Sequence, residues 1–226
     1  MTLDTYTLLF QAVAFLFAIS VHESAHAWTA SKCGDQTARL LGRITLNPLK
    51  HIDPVGTIVM PVLAYLTHFP LIGWAKPTPV DPRQFKHPVR DDILVSLAGP
   101  ISNLMIAAGA VIVMAVISFS SDLGHQVIKT VGSGGVPESQ SPLVPLALIA
   151  DQFLFMNILL AAFNVIPIPP LDGSHVLRHF LPESMKRAYD MMGMFGLLLL
   201  MVIGGPILRF VATPMFRFFD FIVAKL

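Results

Sequence analysis

The stretch Phe10-Gln11-Ala12-Val13-Ala14-Phe15-Leu16-Phe17-Ala18-Ile19-Ser20-Val21-His22-Glu23-Ser24-Ala25-His26-Ala27 joins an apolar run directly to three ionisable residues. The run from Leu8 to Val21 carries no charge, and a helix over residues 6–31 is long enough to cross about 30 Å of hydrocarbon. Ionisable side chains at membrane depth are costly, about 2.5–3.5 kcal/mol for an Asp, Lys or Arg at the centre, and they mark function. The stretch therefore predicts a membrane helix with a chemical site built into it.

Composition extends this reading to the whole chain. Of 226 residues, 54% are hydrophobic and 13% charged, against about 25% charged in soluble domains. A chain of this balance cannot cover itself with polar surface. The formal net charge of +1 supplies no basic stripe for nucleic acid. The single cysteine, Cys33, excludes both a disulfide framework and a cysteine metal cage. No Lys or Arg precedes the first apolar run, so it reads as a retained span rather than a cleaved signal.

The expected fold is an all-α membrane protein with about five to six membrane segments in one domain, 1–226. Core spans are expected at 6–31, 93–119 and 143–166, with further segments at 189–205 and 207–224; the last spans or lies along the interface. Between the first two long spans, residues 55–72 are apolar but short and interrupted by Pro61, His68 and Pro70, so a re-entrant or irregular element is expected. The stretch 73–80 has prolines that favour extended backbone. The 120–142 stretch reads as a loop.

His22 and His26 are separated by four residues, which puts both imidazoles on one helix face beside Glu23. Two histidines so spaced can share one metal ion, with the glutamate as general base for a water at the metal. A catalytic zinc takes three protein ligands and keeps a fourth position open. Asp172 is the leading third ligand, because three prolines break the helix in Asn164-Val165-Ile166-Pro167-Ile168-Pro169-Pro170-Leu171-Asp172-Gly173. Non-helical backbone is tolerated at membrane depth only inside protein or beside water. His175 and His179 are rival ligands that fit better on the polar face of an interfacial helix. His51, His68, His87 and His125 are scattered.

These residues together resemble the site-2 protease family, the intramembrane zinc metalloproteases. The resemblance rests on His22-Glu23-x-x-His26 in an early span, on Ala98-Gly99-Pro100 followed by Asn103, and on the Asn164-to-Gly173 motif. It runs from the first span to about Leu177 and looks closest to short prokaryotic members without a PDZ insertion or a nucleotide-sensing domain. It implies one zinc ion held by His22, His26 and Asp172, with Glu23 as base and a transmembrane protein as substrate. It also implies that Asn164 and Asn103 hydrogen-bond substrate or the developing oxyanion. For Asn103, hydrogen bonding between helices is an equally good reading. A membrane metal-binding protein or transporter is the alternative; such proteins usually show repeated halves, and none is found here.

For the ligands to meet, the first span and 143–166 must run in the same direction, and 32–92 must begin and end on one side. The basic residues fit. Lys32, Arg39, Arg43 and Lys50 precede the short segment and Lys76, Arg83, Lys86 and Arg90 follow it. The positive-inside rule then places the N-terminus outside and the site near the cytoplasmic face of a prokaryotic cell membrane.

Overall fold

The computed structural model describes residues 3–67 and 75–226; His68, Pro70, Gly73 and Trp74 lie outside the described residues. The long helices are α1 (Leu3–Cys33), α4 (Pro88–Ser120), α6 (Leu143–Val165) and α8 (Glu183–Val223). Shorter ones are α2 (Thr37–Leu40), α3 (Met60–Thr67), α5 (Asp122–Gly132) and α7 (Asp172–Phe180). There is no strand among the described residues. The helices at Leu8–Cys33, Pro88–Ser120 and Leu143–Val165 are long and apolar enough to cross a membrane, close to the three core spans expected. Their apolar side chains are not all turned inward. On α4, Met105, Ile112, Val116 and Phe119 are each about two-thirds exposed or more, a face that lipid accepts and water does not.

The C-terminal part differs from the expectation. Segments 189–205 and 207–224 are not two elements but stretches of one helix, α8, 41 residues long. At about 1.5 Å per residue it extends roughly 60 Å. Gly204-Gly205-Pro206 reads as a break but lies within the helix; apolar surroundings leave a freed carbonyl few other partners, so helix persists there. The 120–142 loop likewise contains α5, whose Ser121 accepts from Gly124 N–H at 3.0 Å as N-cap. Its helically spaced Val127, Ile128 and Val131 are buried.

The chain divides into two compact units. One comprises Met1–Ala18, Asn103–Phe163 and Leu208–Leu226. Its core is apolar, with Ala107, Ala110, Ala147 and Ala150 among Met114, Ile128, Leu154 and Ile158; small residues let membrane helices approach closely. Within it, the fully buried Asn103 amide donates to Asn157 Oδ1 at 2.8 Å and to the Ala18 carbonyl at 3.3 Å.

The other unit comprises Ile19–Ser102 and Asn164–Ile207 and depends on polar clasps. Lys86 N–H donates to the Cys33 carbonyl at 3.0 Å. Asp35 accepts from Thr37 N–H and from Asp81 N–H, both at 2.8 Å. Lys76 N–H donates to the His51 carbonyl at 2.9 Å, joining the two residues that flank the intervening stretch. Its described helical part, from the π-helical turn Pro54–Val59 through α3, would extend only about 21 Å, short of a crossing.

Candidate metal centre

His22 and His26 face inward from the second half of α1, each 7% exposed. The apolar residues before them secure the helix, and the i, i+4 spacing sets their rings edge to face with centroids 4.7 Å apart. Asp172 comes from the first turn of α7. The route to it is Pro167–Leu171, where prolines end α6 and the Pro169–Pro170 bond is cis. Gly173 then packs against the end of α6, where a Cβ would collide with the Val165 carbonyl. Tyr189 on α8 donates to the Pro167 carbonyl at 2.8 Å, pinning the same loop.

The three side chains meet in a near-equilateral triangle. His22 Nε2 lies 3.2 Å from Asp172 Oδ2, His26 Nε2 lies 3.3 Å from it, and the two nitrogens are 3.1 Å apart. Ligands at about 2.0–2.2 Å from a tetrahedral zinc stand about 3.3–3.6 Å apart, only slightly wider. Protons alone do not satisfy this cluster. His26 Nδ1 lies 2.7 Å from the Val95 carbonyl, which accepts only, so Nδ1 carries a proton and Nε2 is the nitrogen left to meet a metal. Asp172 Oδ2 is buried and accepts no hydrogen bond. A buried carboxylate and two imidazole nitrogens turned on one point are the donor set of a zinc site with an open fourth position. Among the described residues, this is the group of three or more His, Cys, Asp or Glu side chains able to hold a metal ion.

The Ala98-Gly99-Pro100 motif shapes the wall of the cluster. A Cβ on Gly99 would stand 2.6 Å from His22 Nε2 and closer still to His26 Nε2, so only glycine lets α4 come this near. Pro100 lacks an N–H for the Ser96 carbonyl and loosens that turn. Next to it, the Val95 carbonyl receives His26.

Glu23 is held from the other side. Its Oε2 accepts from Thr78 N–H at 2.8 Å and from Thr78 Oγ1 at 2.7 Å. Ser24, inside the motif, accepts from Thr45 N–H at 3.1 Å and donates to the Thr45 carbonyl, tying residues 43–51 to α1. Asn164 is partly exposed in the last turn of α6. The rivals are turned elsewhere: His179 Nε2 lies 2.7 Å and His175 Nδ1 4.0 Å from Asp92, and His51 Nε2 donates to the Thr45 carbonyl.

Sequence reasoning did not find Val95, Thr78, Tyr189 or Asn157. Val95 acts through its main-chain carbonyl, which leaves no mark in residue type, and the Tyr189 hydroxyl meets the carbonyl of a residue 22 positions away. For Gly99, a glycine in a span between Ala98 and Pro100 is the signal.

Comparison with known proteins places the chain in a family. A profile of Peptidase family M50 matches residues 10–203. The chain is 32% identical over 209 residues to the Bacillus subtilis protein named "Putative zinc metalloprotease YwhC", covering 90% of this chain and 84% of that one. It is 30% identical over 211 residues to the Mycolicibacterium smegmatis "Putative zinc metalloprotease Rip2", covering 92% and 71%. No solved structure gives a significant match. With zinc-ligand chemistry set in a membrane-length helix and a family match over most of its length, the chain belongs to peptidase family M50, the site-2 proteases, and is a zinc metalloprotease by family.

Proposed function

We propose that the whole chain, 1–226, is one catalytic domain: an intramembrane zinc endopeptidase that cuts peptide bonds in or near the transmembrane helices of membrane proteins. The observation that carries this reading is the triangle of His22, His26 and Asp172 with sides of 3.1–3.3 Å, two of its corners lying on a helix able to cross a membrane.

His22, His26 and Asp172 hold the zinc ion. When bound, zinc polarises the scissile carbonyl and lowers the pKa of the attacking water. Glu23 takes the proton from that water and delivers it to the leaving amine nitrogen. Asn164, partly exposed where α6 gives way to the proline loop, hydrogen-bonds the substrate backbone or the developing oxyanion. Asn103 joins helices instead; its full burial and its bonds to Asn157 and Ala18 support that role.

A helical substrate has its carbonyls occupied by internal hydrogen bonds and must unwind locally before attack. The extended residues 75–81 offer an edge to which an unwound segment adds as a strand. Residues 55–72 act as a re-entrant element, a reading supported by the His51–Lys76 bond that joins the chain on either side of them. With basic residues on both flanks of that element, the N-terminus lies outside and the active site opens towards the cytoplasmic face.

The test is cleavage of a purified single-span substrate in detergent or lipid. Wild type cuts it, and Glu23→Gln, which keeps the metal ligands, retains zinc and falls by at least about a thousandfold, a loss of ~4 kcal/mol of transition-state stabilisation. Undiminished cleavage by a zinc-loaded Glu23→Gln protein would remove Glu23 from its role.

A further inference from the structure

We propose that Thr78 is a positioning residue for the reaction, fixing the Glu23 carboxylate so that one defined oxygen meets the attacking water. The inference rests on the reading of Glu23 as the base.

Thr78 lies between Pro77 and Pro79. The following proline restricts it to extended backbone, and neither neighbour leaves its N–H a helical partner. That N–H donates to Glu23 Oε2 at 2.8 Å. The hydroxyl of the same residue donates its one proton to Oε2 at 2.7 Å, its shorter contact, and lies 3.0 Å from the Glu23 main-chain carbonyl. One residue thus supplies two donors to the side chain of the base. Two donors on Oε2 stop rotation of the carboxylate and draw charge towards that oxygen. Among the described residues no hydrogen bond is made to Oε1, so Oε1 is the oxygen left to take the proton. A carboxylate that need not find its orientation in each cycle loses less entropy on reaching the transition state.

The grip has a built-in anchor. Thr78 is two residues from Lys76, which is bonded to His51, and three from Asp81, which is bonded to Asp35. The chain on both sides of Thr78 is thus tied down, by the Lys76 N–H on the His51 carbonyl and the Asp81 N–H on the Asp35 carboxylate. The hydroxyl is the one part of the grip that a substitution can remove without disturbing the backbone.

The experiment measures kcat, KM and zinc content of the full chain against a single-span substrate. Thr78→Val keeps shape and the main-chain N–H but loses the hydroxyl. It should lower kcat about tenfold, the equivalent of ~1.4 kcal/mol, with KM within about twofold and zinc content unchanged. Thr78→Ser restores the hydroxyl and should bring kcat back. Thr78→Ala, expected to match the valine variant, replaces it if the added methyl prevents zinc loading. An unchanged or raised kcat in the valine or alanine variant, a change confined to KM, or failure of serine to rescue would each overturn the proposal. If Thr78→Val is unaffected while Glu23→Gln is dead, only this inference fails. If Glu23→Gln remains active, the reading of Glu23 as base fails, and this inference with it.

Discussion

The two compact units solve the same problem, holding long apolar helices together, by opposite means. The unit of Met1–Ala18, Asn103–Phe163 and Leu208–Leu226 relies on alanines and large aliphatics, with the Asn103–Asn157 bond within it. The unit of Ile19–Ser102 and Asn164–Ile207 relies on named polar contacts: Cys33–Lys86, Asp35–Asp81, His51–Lys76, Thr45–Ser24 and Pro167–Tyr189. Apolar packing is forgiving of where each atom lies, within limits set by volume. Hydrogen bonds between fixed groups are not. Chemistry that needs three ligands within a few tenths of an ångström sits in the unit built from directional contacts, and bulk stability comes from packing.

That contrast can be broken at chosen points. The largest effect is expected at Gly99. Gly99→Ala puts a methyl on the two ligand nitrogens, so zinc content, read by atomic absorption, should fall below one-tenth and cleavage should drop more than about a hundredfold. Helix content by circular dichroism should remain. Retention of full zinc by this variant would show that α4 can move away and that the unit is less rigid than its clasps imply.

In the packed unit the expected loss is of stability, not of chemistry. Met114 is fully buried, and Met114→Ala should cost about 2–3 kcal/mol, lowering the denaturation midpoint while zinc binds with the same stoichiometry. A zinc deficit in a folded Met114→Ala protein would blur the division.

The smallest effect is expected at Asn103. Hydrogen bonds between membrane helices contribute about 0.6 kcal/mol on average and at most about 1.7, so Asn103→Leu should lower stability by about 1 kcal/mol and change kcat by less than threefold. A fall in kcat of a hundredfold with stability intact would give Asn103 the oxyanion role.

Much of this architecture is legible in the sequence. His22, His26 and Asp172, which the structure brings together, stand out because metal ligation demands particular residue types, and the two histidines a fixed spacing. The expectation that residues 34–92 begin and end on one side rests on a topological requirement, two parallel spans bringing ligands together, and on basic residues on both flanks; the hydrogen bonds Cys33–Lys86 and His51–Lys76 are compatible with it. The continuity of α8 through Gly204-Gly205-Pro206 was not legible, because those residues break helices in water and are tolerated in apolar surroundings. Thr78 was hidden for another reason: a threonine between prolines reads as turn chemistry, and nothing local says which side chain 55 residues earlier it will meet.

The His51–Lys76 bond also bears on how the protein can diversify. The Lys76 N–H meets the His51 carbonyl two residues before Thr78, so the anchor of Thr78 stands outside the intervening stretch. Changes in its described helical part, Pro54–Val59 and α3, touch neither that bond nor the one between Thr78 and Glu23. That part of the chain should therefore tolerate sequence drift that Thr78 itself does not.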